Sequence, residues 1–319
     1  MKKLRVKVCT ALLVATASIA GPAHPADATP VTDLTRAAGP TDSRKWSPPL
    51  RYHGGPVIVT AKNYLVFWTG GDRKAFDAKY VSLLQRWHKD ARHMTVFKVA
   101  TQYGQADGQH PTDTAYAGTF VDNTPFPGKG ACAQVCVGEA DIARIARTTA
   151  AAHRVKPGLS NIIYVYTPAG VHRCNELVDG NTGCYDDDEG PHHNGRCGYH
   201  DHATAGKGRL VFAYVPHPGR NCHLTDGRQR FPNDVAADAA ISLTSAFQME
   251  AITNPLHNAW YDDNDEGPAG IAAECEWLFG PLLPGRKGNS HYAGHTYDLQ
   301  AEASNQEEGC VVGSAVDGF

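Results

Sequence analysis

The sequence lacks the features of a nucleic-acid-binding or membrane-embedded protein. Residues 1–28 hold four of the 30 basic residues and one of the 33 acidic ones, so residues 29–319 carry 26 and 32 of them. Their formal charge is therefore −6, and no basic cluster offers a site for nucleic acid or anionic lipid. Beyond residue 20, no segment is long and apolar enough to span a bilayer. We therefore expect no nucleic-acid partner and no membrane span in the mature chain.

Motifs that define several common site types are also absent. The sequence contains no G-x-S-x-G, which disfavours the hydrolases that place a serine on a nucleophile elbow. It contains no C-x-x-C pair, which disfavours a zinc–thiolate site. Neither a solenoid-type repeat nor a second linker is present, so residues 51–312 are expected to form a single domain.

The N-terminus is typical of an exported protein. Basic residues at positions 2–7 precede an apolar stretch over residues 9–20, which is too short for a bilayer span. Ala26-Asp27-Ala28 is a small-x-small cleavage site, so residues 1–28 are predicted to be a signal peptide. Residues 29–50 are rich in Thr, Pro, Ala and Asp and are predicted to be a disordered linker. We therefore expect a secreted, extracellular protein.

Eight cysteines follow the predicted signal peptide, and an even number in an exported chain favours disulfides over free thiols. They are Cys132, Cys136, Cys174, Cys184, Cys197, Cys222, Cys275 and Cys310. The sequence alone allows about 105 pairings. Cys132 and Cys136 are expected to close a small loop together. The four cysteines between positions 174 and 222 are expected to staple a loop-rich segment.

The apolar pattern predicts an α/β fold with a mixed β-sheet flanked by helices. Strands are predicted at residues 57–60, 64–68, 162–166 and 210–215. Helices are predicted at residues 76–87, 139–153 and 234–252, and the last is apolar on nearly all sides and therefore expected to be buried. Residues 104–131 and the insertion at 169–208 are predicted to be mostly loop.

Several separated motifs occur in an order that resembles the EXORDIUM or phosphate-induced protein family of secreted plant proteins and its bacterial relatives. They are Y-H-G-G-P at 52–56, C-G-Y-H at 197–200, T-N-P at 253–255 and C-E-W at 275–277, followed by a tail around Cys310. The resemblance covers residues 51–312. It implies a domain that acts outside the cell and leaves the molecular activity open.

The predicted third helix resembles the metal-binding helix of zinc peptidases. Many bacterial relatives carry S-H-E-x-x-E-A-x-T-D-P there, followed by a loop G-E-I-x-D-x-C, which together look like a zinc hydrolase site. This chain keeps Glu250, but Ala246 and Phe247 replace the His-Glu pair, and Gly270 and Ala273 replace the loop acids. Alanine cannot ligate a metal, and phenylalanine cannot accept a proton. The resemblance therefore implies a metallopeptidase-like, disulfide-stapled fold with a degenerate site.

Two other segments offer metal ligands. One is rich in imidazoles, which suit zinc or copper, and contains His192, His193, His200, Asp201 and His202. The other resembles the start of a calcium loop and contains Asp262, Asn264 and Glu266, although Ala273 stands where the bidentate acid is expected. Zinc and calcium are therefore the candidate ions.

These observations lead to two functional hypotheses, besides a third in which calcium bound by the acidic loops stabilises a binding module. The preferred one is a non-catalytic extracellular or cell-surface protein that binds another extracellular protein or a cell-wall component. The alternative is a zinc-dependent, peptidase-like hydrolase that uses Glu250, the catalytic candidate, with His200 or His202. The two differ in geometry, since the enzyme requires Glu250 and two imidazoles around one open cavity.

Overall fold

A computed structural model describes residues 49–128, 135–176, 182–184, 197–218, 222, 231–264 and 267–313. The predicted signal peptide lies outside these residues, as does the predicted linker up to residue 48. The last residue assigned to that linker, Leu50, is already buried, and its backbone bonds to the side chain of Asn305. Within the described part of the chain, no helix has both the length and the apolar character needed to cross a membrane.

A five-stranded mixed sheet forms the centre of the domain. Its order is β3 (Asp113–Asp122), β2 (Thr60–Trp68), β5 (Gly158–Thr167), β9 (Gly208–Pro216) and β8 (Tyr199–Ala205). The first four strands are parallel, and β8 runs antiparallel to β9 at one edge. The predicted mixed α/β fold is confirmed, and the all-apolar runs in β5 and β9 are buried on both faces, as expected for central strands.

Helices cover both faces of this sheet. They are α1 (Ala78–Asp90), α2 (Thr95–Ala100), α3 (Glu139–Ala152) and α4 (Val235–Thr253). On one face, α1, α2 and α4 pack against strand side chains such as Phe67 and Tyr166. On the other face, α3 packs against their neighbours Val66 and Val165. Because successive strand residues point to opposite faces, the sheet separates two cores in a three-layer arrangement.

The helix that carries the predicted hydrolase pattern is α4. Sixteen of its 19 residues are buried, which confirms the prediction of a buried helix. Asp234 caps its first turn by accepting hydrogen bonds from the amides of Ala236 and Ala237. On its other side, the Ser242 hydroxyl accepts a hydrogen bond from the amide of Gln300, 3.0 Å away. α4 is therefore held between the central sheet and the C-terminal segment.

Short strands form small accessory sheets around this core. β1 (Arg51–Tyr52), β10 (Trp260–Asn264) and β11 (Gly267–Ala269) form one, and β4 (Val135–Val137), β6 (Val171–Glu176) and β7 (Thr182–Cys184) form another. Two hairpins follow near the C-terminus, β12 (Ser290–Tyr292) with β13 (His295–Tyr297) and β14 (Glu302–Ser304) with β15 (Gly309–Val311). The β10–β11 hairpin contains part of the predicted calcium segment.

Among the described residues, three disulfides join cysteine pairs that are distant in sequence: Cys136–Cys174, Cys197–Cys222 and Cys275–Cys310. The predicted pairing of Cys132 with Cys136 is wrong. Parallel pairing of β4 with β6 instead brings the Cα atoms of Cys136 and Cys174 within 5.3 Å, a spacing typical of disulfides. Cys132 and the side chain of Cys184 lie outside the described residues.

Two predicted loops contain strands. Residues 104–131 include β3, whose sequence mixes small, polar and apolar residues because this edge strand is only half-buried. The insertion at 169–208 includes β6 and the edge strand β8. At the N-terminal side, the predicted strand at 57–60 does not form separately, since β2 begins at Thr60 and the preceding residues adopt no regular structure.

Candidate functional site

Glu250 lies in the last turn of α4 and is bonded to the loop that follows β11. Its Oε1 atom accepts hydrogen bonds from the amides of Ala272, at 2.8 Å, and Ala273, at 2.9 Å. Burial raises the pKa of Glu250, and these two hydrogen bonds offset only part of that effect. Glu250, the acid that the chain shares with the hydrolase pattern, therefore fastens α4 to the loop that follows β11.

The surroundings of Glu250 are packed rather than open. A Cβ atom on Gly270 would lie 2.0 Å from Oε2 of Glu250, so the loop backbone rests directly on the carboxylate. Ala246 is buried, and the Phe247 ring lies 2.6 Å from where a Cβ atom on Gly198 would be. Phe247 thus occupies the space between α4 and the residue preceding β8. These residues do not fit a zinc ion at the helix.

A second acid, Glu302 on β14, is buried near Glu250. The side chain is fully enclosed, and neither carboxyl oxygen has a hydrogen-bond partner among the described residues. Burial, with a smaller contribution from the charge of Glu250, raises the pKa of Glu302 well above its usual range. Glu302 is therefore the neutral member of a buried acid pair, and Glu250 is the member that bonds to backbone amides.

A different group of polar side chains meets at the edge strand β8. Nδ1 of His202 lies 3.1 Å from Oδ1 of Asp201, and Nε2 of His257 lies 3.2 Å from the same oxygen. These three residues, which we call the His–Asp cluster, place one ligand atom each within 4.8 Å of one another. The sequence prediction included Asp201 and His202 but missed His257, which is 56 positions away from Asp201.

Asn254 fixes the turn that carries His257. Its amide continues the helical pattern by donating to the Glu250 carbonyl, and its side-chain oxygen accepts from the amide of Ala259, 2.7 Å away. Its carbonyl accepts from the backbone amide of His257 and from Nε2 of His200, each at 3.1 Å. One residue therefore holds together the end of α4, the His257 turn and strand β8.

His200 lies beneath the His–Asp cluster, and its ring centroid is 4.5 Å from that of His257. Burial, together with the neighbouring His257 ring, lowers the pKa of His200 to about 3, so this imidazole is neutral near pH 7. Burial alone would raise the pKa of Asp201, but hydrogen bonds from His257 and His202 outweigh it and lower that pKa to about 2. The cluster therefore combines a carboxylate with two imidazoles that reach solvent.

The predicted calcium residues are only partly described. Asp262 lies on β10 with its side chain buried, and its Oδ2 has no hydrogen-bond partner within the described ranges. The backbone of Asn264 pairs with Gly267 in the β10–β11 hairpin, and Glu266 lies outside the described residues, as do His192 and His193. Calcium binding at this segment stays a prediction.

A separate groove of about 380 Å³ lies between the end of α3 and the β8–β9 turn. Its walls include Arg147, Val155, Thr204 and Leu210, and none of the predicted site residues contributes to it. The groove is mainly apolar and contains no carboxylate or imidazole, so it offers a surface for binding rather than groups for acid–base chemistry.

Three of the motifs behind the family resemblance meet at the turn after α4. The amides of His53 and Gly55 donate to the carbonyls of Ala259 and Asn258, both at 2.7 Å, while His200 bonds to Asn254. No protein-family model matches the chain, and no curated protein matches it at a significant level. The resemblance to the EXORDIUM family therefore stays a prediction that rests on these short motifs.

Proposed function

We propose that the chain is a secreted or cell-surface protein of the EXORDIUM type that is non-catalytic at its metallopeptidase-like helix. It acts by binding an extracellular protein or a cell-wall component. The observation that carries this proposal is the bonding of the Glu250 carboxylate to the amides of Ala272 and Ala273. A carboxylate held by two backbone amides and covered by Gly270 serves the packing of the domain instead of an open reaction cavity.

The three disulfides support the extracellular part of the proposal. Disulfides persist in oxidising compartments and are rare in the cytosol, where thiols are kept reduced. Together they close three separate segments of the domain. This agrees with the signal peptide predicted for residues 1–28.

The alternative, an active zinc hydrolase, requires Glu250 and His200 or His202 on one ion. Among the described residues, the group whose ligand atoms converge contains His202 with Asp201 and His257, and it contains neither Glu250 nor His200. Nε2 of His200 is engaged by the Asn254 carbonyl. Each required group thus has another partner, which favours the non-catalytic hypothesis.

The variants Glu250→Gln and Glu250→Ala test whether this residue is structural or catalytic. If the carboxylate holds the loop, Glu250→Ala lowers the free energy of unfolding by about 1–3 kcal/mol, because two buried amides lose their acceptor. Glu250→Gln keeps an acceptor oxygen for these amides and should lose less. Denaturant unfolding measures this loss, and mass spectrometry of a mixed peptide pool incubated with zinc measures hydrolysis. Glu308→Gln, at an exposed glutamate, is the matched control. Cleavage by the parent that Glu250→Gln abolishes would overturn the proposal.

The binding role is tested by co-sedimentation of the full chain with insoluble cell-wall polysaccharide and by cross-linking to extracellular proteins. We expect the oxidised, folded chain to be retained by one of these partners. The reduced and alkylated chain is the control, since it has the same composition without the disulfide-held surface. Equal retention of both forms, or of neither, would contradict a specific binding role.

A further inference from the structure

We infer that Asp201, His202 and His257 form a binding site for one zinc ion. The inference does not depend on the proposed function, because it uses none of the residues of the hydrolase pattern and would hold in any protein with this arrangement. The sequence predicted an imidazole-rich zinc segment. The inferred site keeps Asp201 and His202 of that segment and adds His257 from outside it.

The ligand chemistry of the His–Asp cluster suits zinc. Two imidazole nitrogens and one carboxylate oxygen are ligands that zinc and similar transition metals accept, whereas calcium and magnesium prefer oxygen alone. Three protein ligands leave one position of a four-coordinate ion open. Between 23% and 46% of each of the three side chains is exposed, so solvent or a small ligand could fill that position.

The distances within the cluster are close to those of a zinc site. Zinc–nitrogen and zinc–oxygen bonds of about 2.0–2.1 Å place neighbouring ligand atoms of a tetrahedron about 3.3 Å apart. The Asp201 oxygen lies 3.1 Å from the His202 nitrogen and 3.2 Å from the His257 nitrogen. The remaining pair lies within 4.8 Å. Small side-chain rotations therefore suffice to bring all three atoms onto one ion.

The backbone holds these ligands in place before any ion arrives. Oδ1 of Asp201 accepts a hydrogen bond from the backbone amide of His202, which fixes the carboxylate against the strand. His257 has a φ angle of 57°, in the left-handed region that residues other than glycine seldom adopt. The Asn254 carbonyl and the half-buried ring of His200 support the same turn. Binding therefore requires little ordering of the chain.

The test is isothermal titration of zinc into the full, oxidised chain after removal of metals with chelator. We expect one ion per chain, and we expect Asp201→Ala, His202→Ala and His257→Ala each to weaken binding at least tenfold. His110→Ala is the matched control, since this exposed histidine bonds to the carbonyl of Pro111 and does not belong to the His–Asp cluster. It should leave the affinity unchanged.

Cobalt substitution supplies a second readout. Cobalt(II) bound at the cluster should give the intense visible absorption of a four- or five-coordinate site, and His257→Gln should abolish it. Melting in chelator checks that each variant folds. Asp201→Asn keeps the shape of the side chain. If the alanine variant at Asp201 is unfolded, the zinc affinity of Asp201→Asn shows whether the carboxylate is a ligand. Absence of zinc binding by the parent would overturn the inference, and so would unchanged affinity in the folded His202 and His257 variants.

Discussion

The carboxyl group of Glu302 shows how a single residue can determine how stability depends on pH. It is fully buried, and the charge of the Glu250 carboxylate adds to the effect of burial on its pKa. Two ionised carboxylates in one buried site repel each other and lose their hydration, so one of them keeps its proton. Glu250 has two amide donors and Glu302 has none in the described structure, which makes Glu302 the protonated member.

This assignment predicts the effect of Glu302→Gln. In the unfolded chain the residue ionises near its ordinary pKa of 4.5, whereas in the fold its pKa is raised well above that. Between these two pKa values the folded state binds more protons, so stability falls as pH rises. Glutamine cannot ionise and removes that loss. We therefore expect the variant to match the parent below pH 4.5 and to become more stable above it.

The gap between variant and parent should widen by up to about 1.4 kcal/mol per pH unit. Urea unfolding from about pH 4 to about pH 8 measures it, with Glu308→Gln as an exposed control that should show no such widening. A constant destabilisation of Glu302→Gln at every pH would mean that Glu302 is ionised and bonded in the fold.

Gly270, at the position where the hydrolase pattern has a loop acid, is the residue at which the packing of the loop on Glu250 can be tested directly. A Cβ atom there would lie 2.0 Å from Oε2 of Glu250. We expect Gly270→Ala to lower the free energy of unfolding by about 1–3 kcal/mol through overpacking. Gly158→Ala is the matched control, because nothing lies within 4 Å of a Cβ atom added there. Equal stability of the two variants would show that the loop is free to move off Glu250.

The candidate site could be predicted from sequence only where its residues are close in the chain. Residues 200–202 lie within strand β8. Their spacing alone places His200 and His202 on the same face of that strand. His257 joins them through a turn that depends on Asn254, and no local pattern indicates that β8 lies beside the end of α4. That contact is a product of tertiary packing. The absence of metal-ligating side chains at Ala246 and Phe247 of α4, by contrast, is visible at single positions.

At the scale of elements, the start of α4 is stabilised by the side chain that caps its first turn. Asp234 accepts from two amides of the first turn and also lies 3.9 Å from the Lys79 ammonium, an exposed pair. Exposed ion pairs contribute little, so the cap should dominate. We expect Asp234→Ala to cost about 1 kcal/mol and Asp234→Ser, which keeps a capping oxygen but loses the charge, to cost much less.

Denaturant unfolding of both variants measures these costs. Asp77 caps α1 in the same way, by accepting from the amides of Lys79 and Tyr80, so Asp77→Ala provides a matched comparison at a second helix. A similar loss in Asp234→Ala and Asp234→Ser would assign the stabilisation to the ion pair rather than to the cap.

Elements whose apolar residues recur at a regular spacing or form a long run could be predicted from the sequence. Edge strands could not. Helices α1, α3 and α4 and strands β5 and β9 lie close to their predicted positions, since burial on one or both faces leaves a clear pattern. β3 and β8 border the sheet, and their exposed residues need not be apolar. Their pairing with β2 and β9 is what makes them strands.

At the scale of the whole molecule, the disulfides tie distant segments to the core. Cys136–Cys174, Cys197–Cys222 and Cys275–Cys310 span 38, 25 and 35 positions. Closing a loop of this size lowers the entropy of the unfolded chain. Each disulfide thereby stabilises the fold by about 3–4 kcal/mol. The last of them has an additional local consequence, because Cys275 follows the two residues whose amides bond to Glu250.

Removing the Cys275–Cys310 disulfide should therefore act on stability and on the Glu250 loop together. We expect the double variant Cys275→Ala, Cys310→Ala to lose about 2–5 kcal/mol, and a variant with alanine at Cys136 and Cys174 to lose a similar amount. Only the first should accelerate hydrogen exchange at the amides of Ala272 and Ala273, since only that disulfide anchors their loop to β15. Equal exchange in both variants would show that Glu250 alone holds the loop. Because the two losses in stability are alike, a difference in exchange identifies the disulfide that keeps the buried acid pair closed.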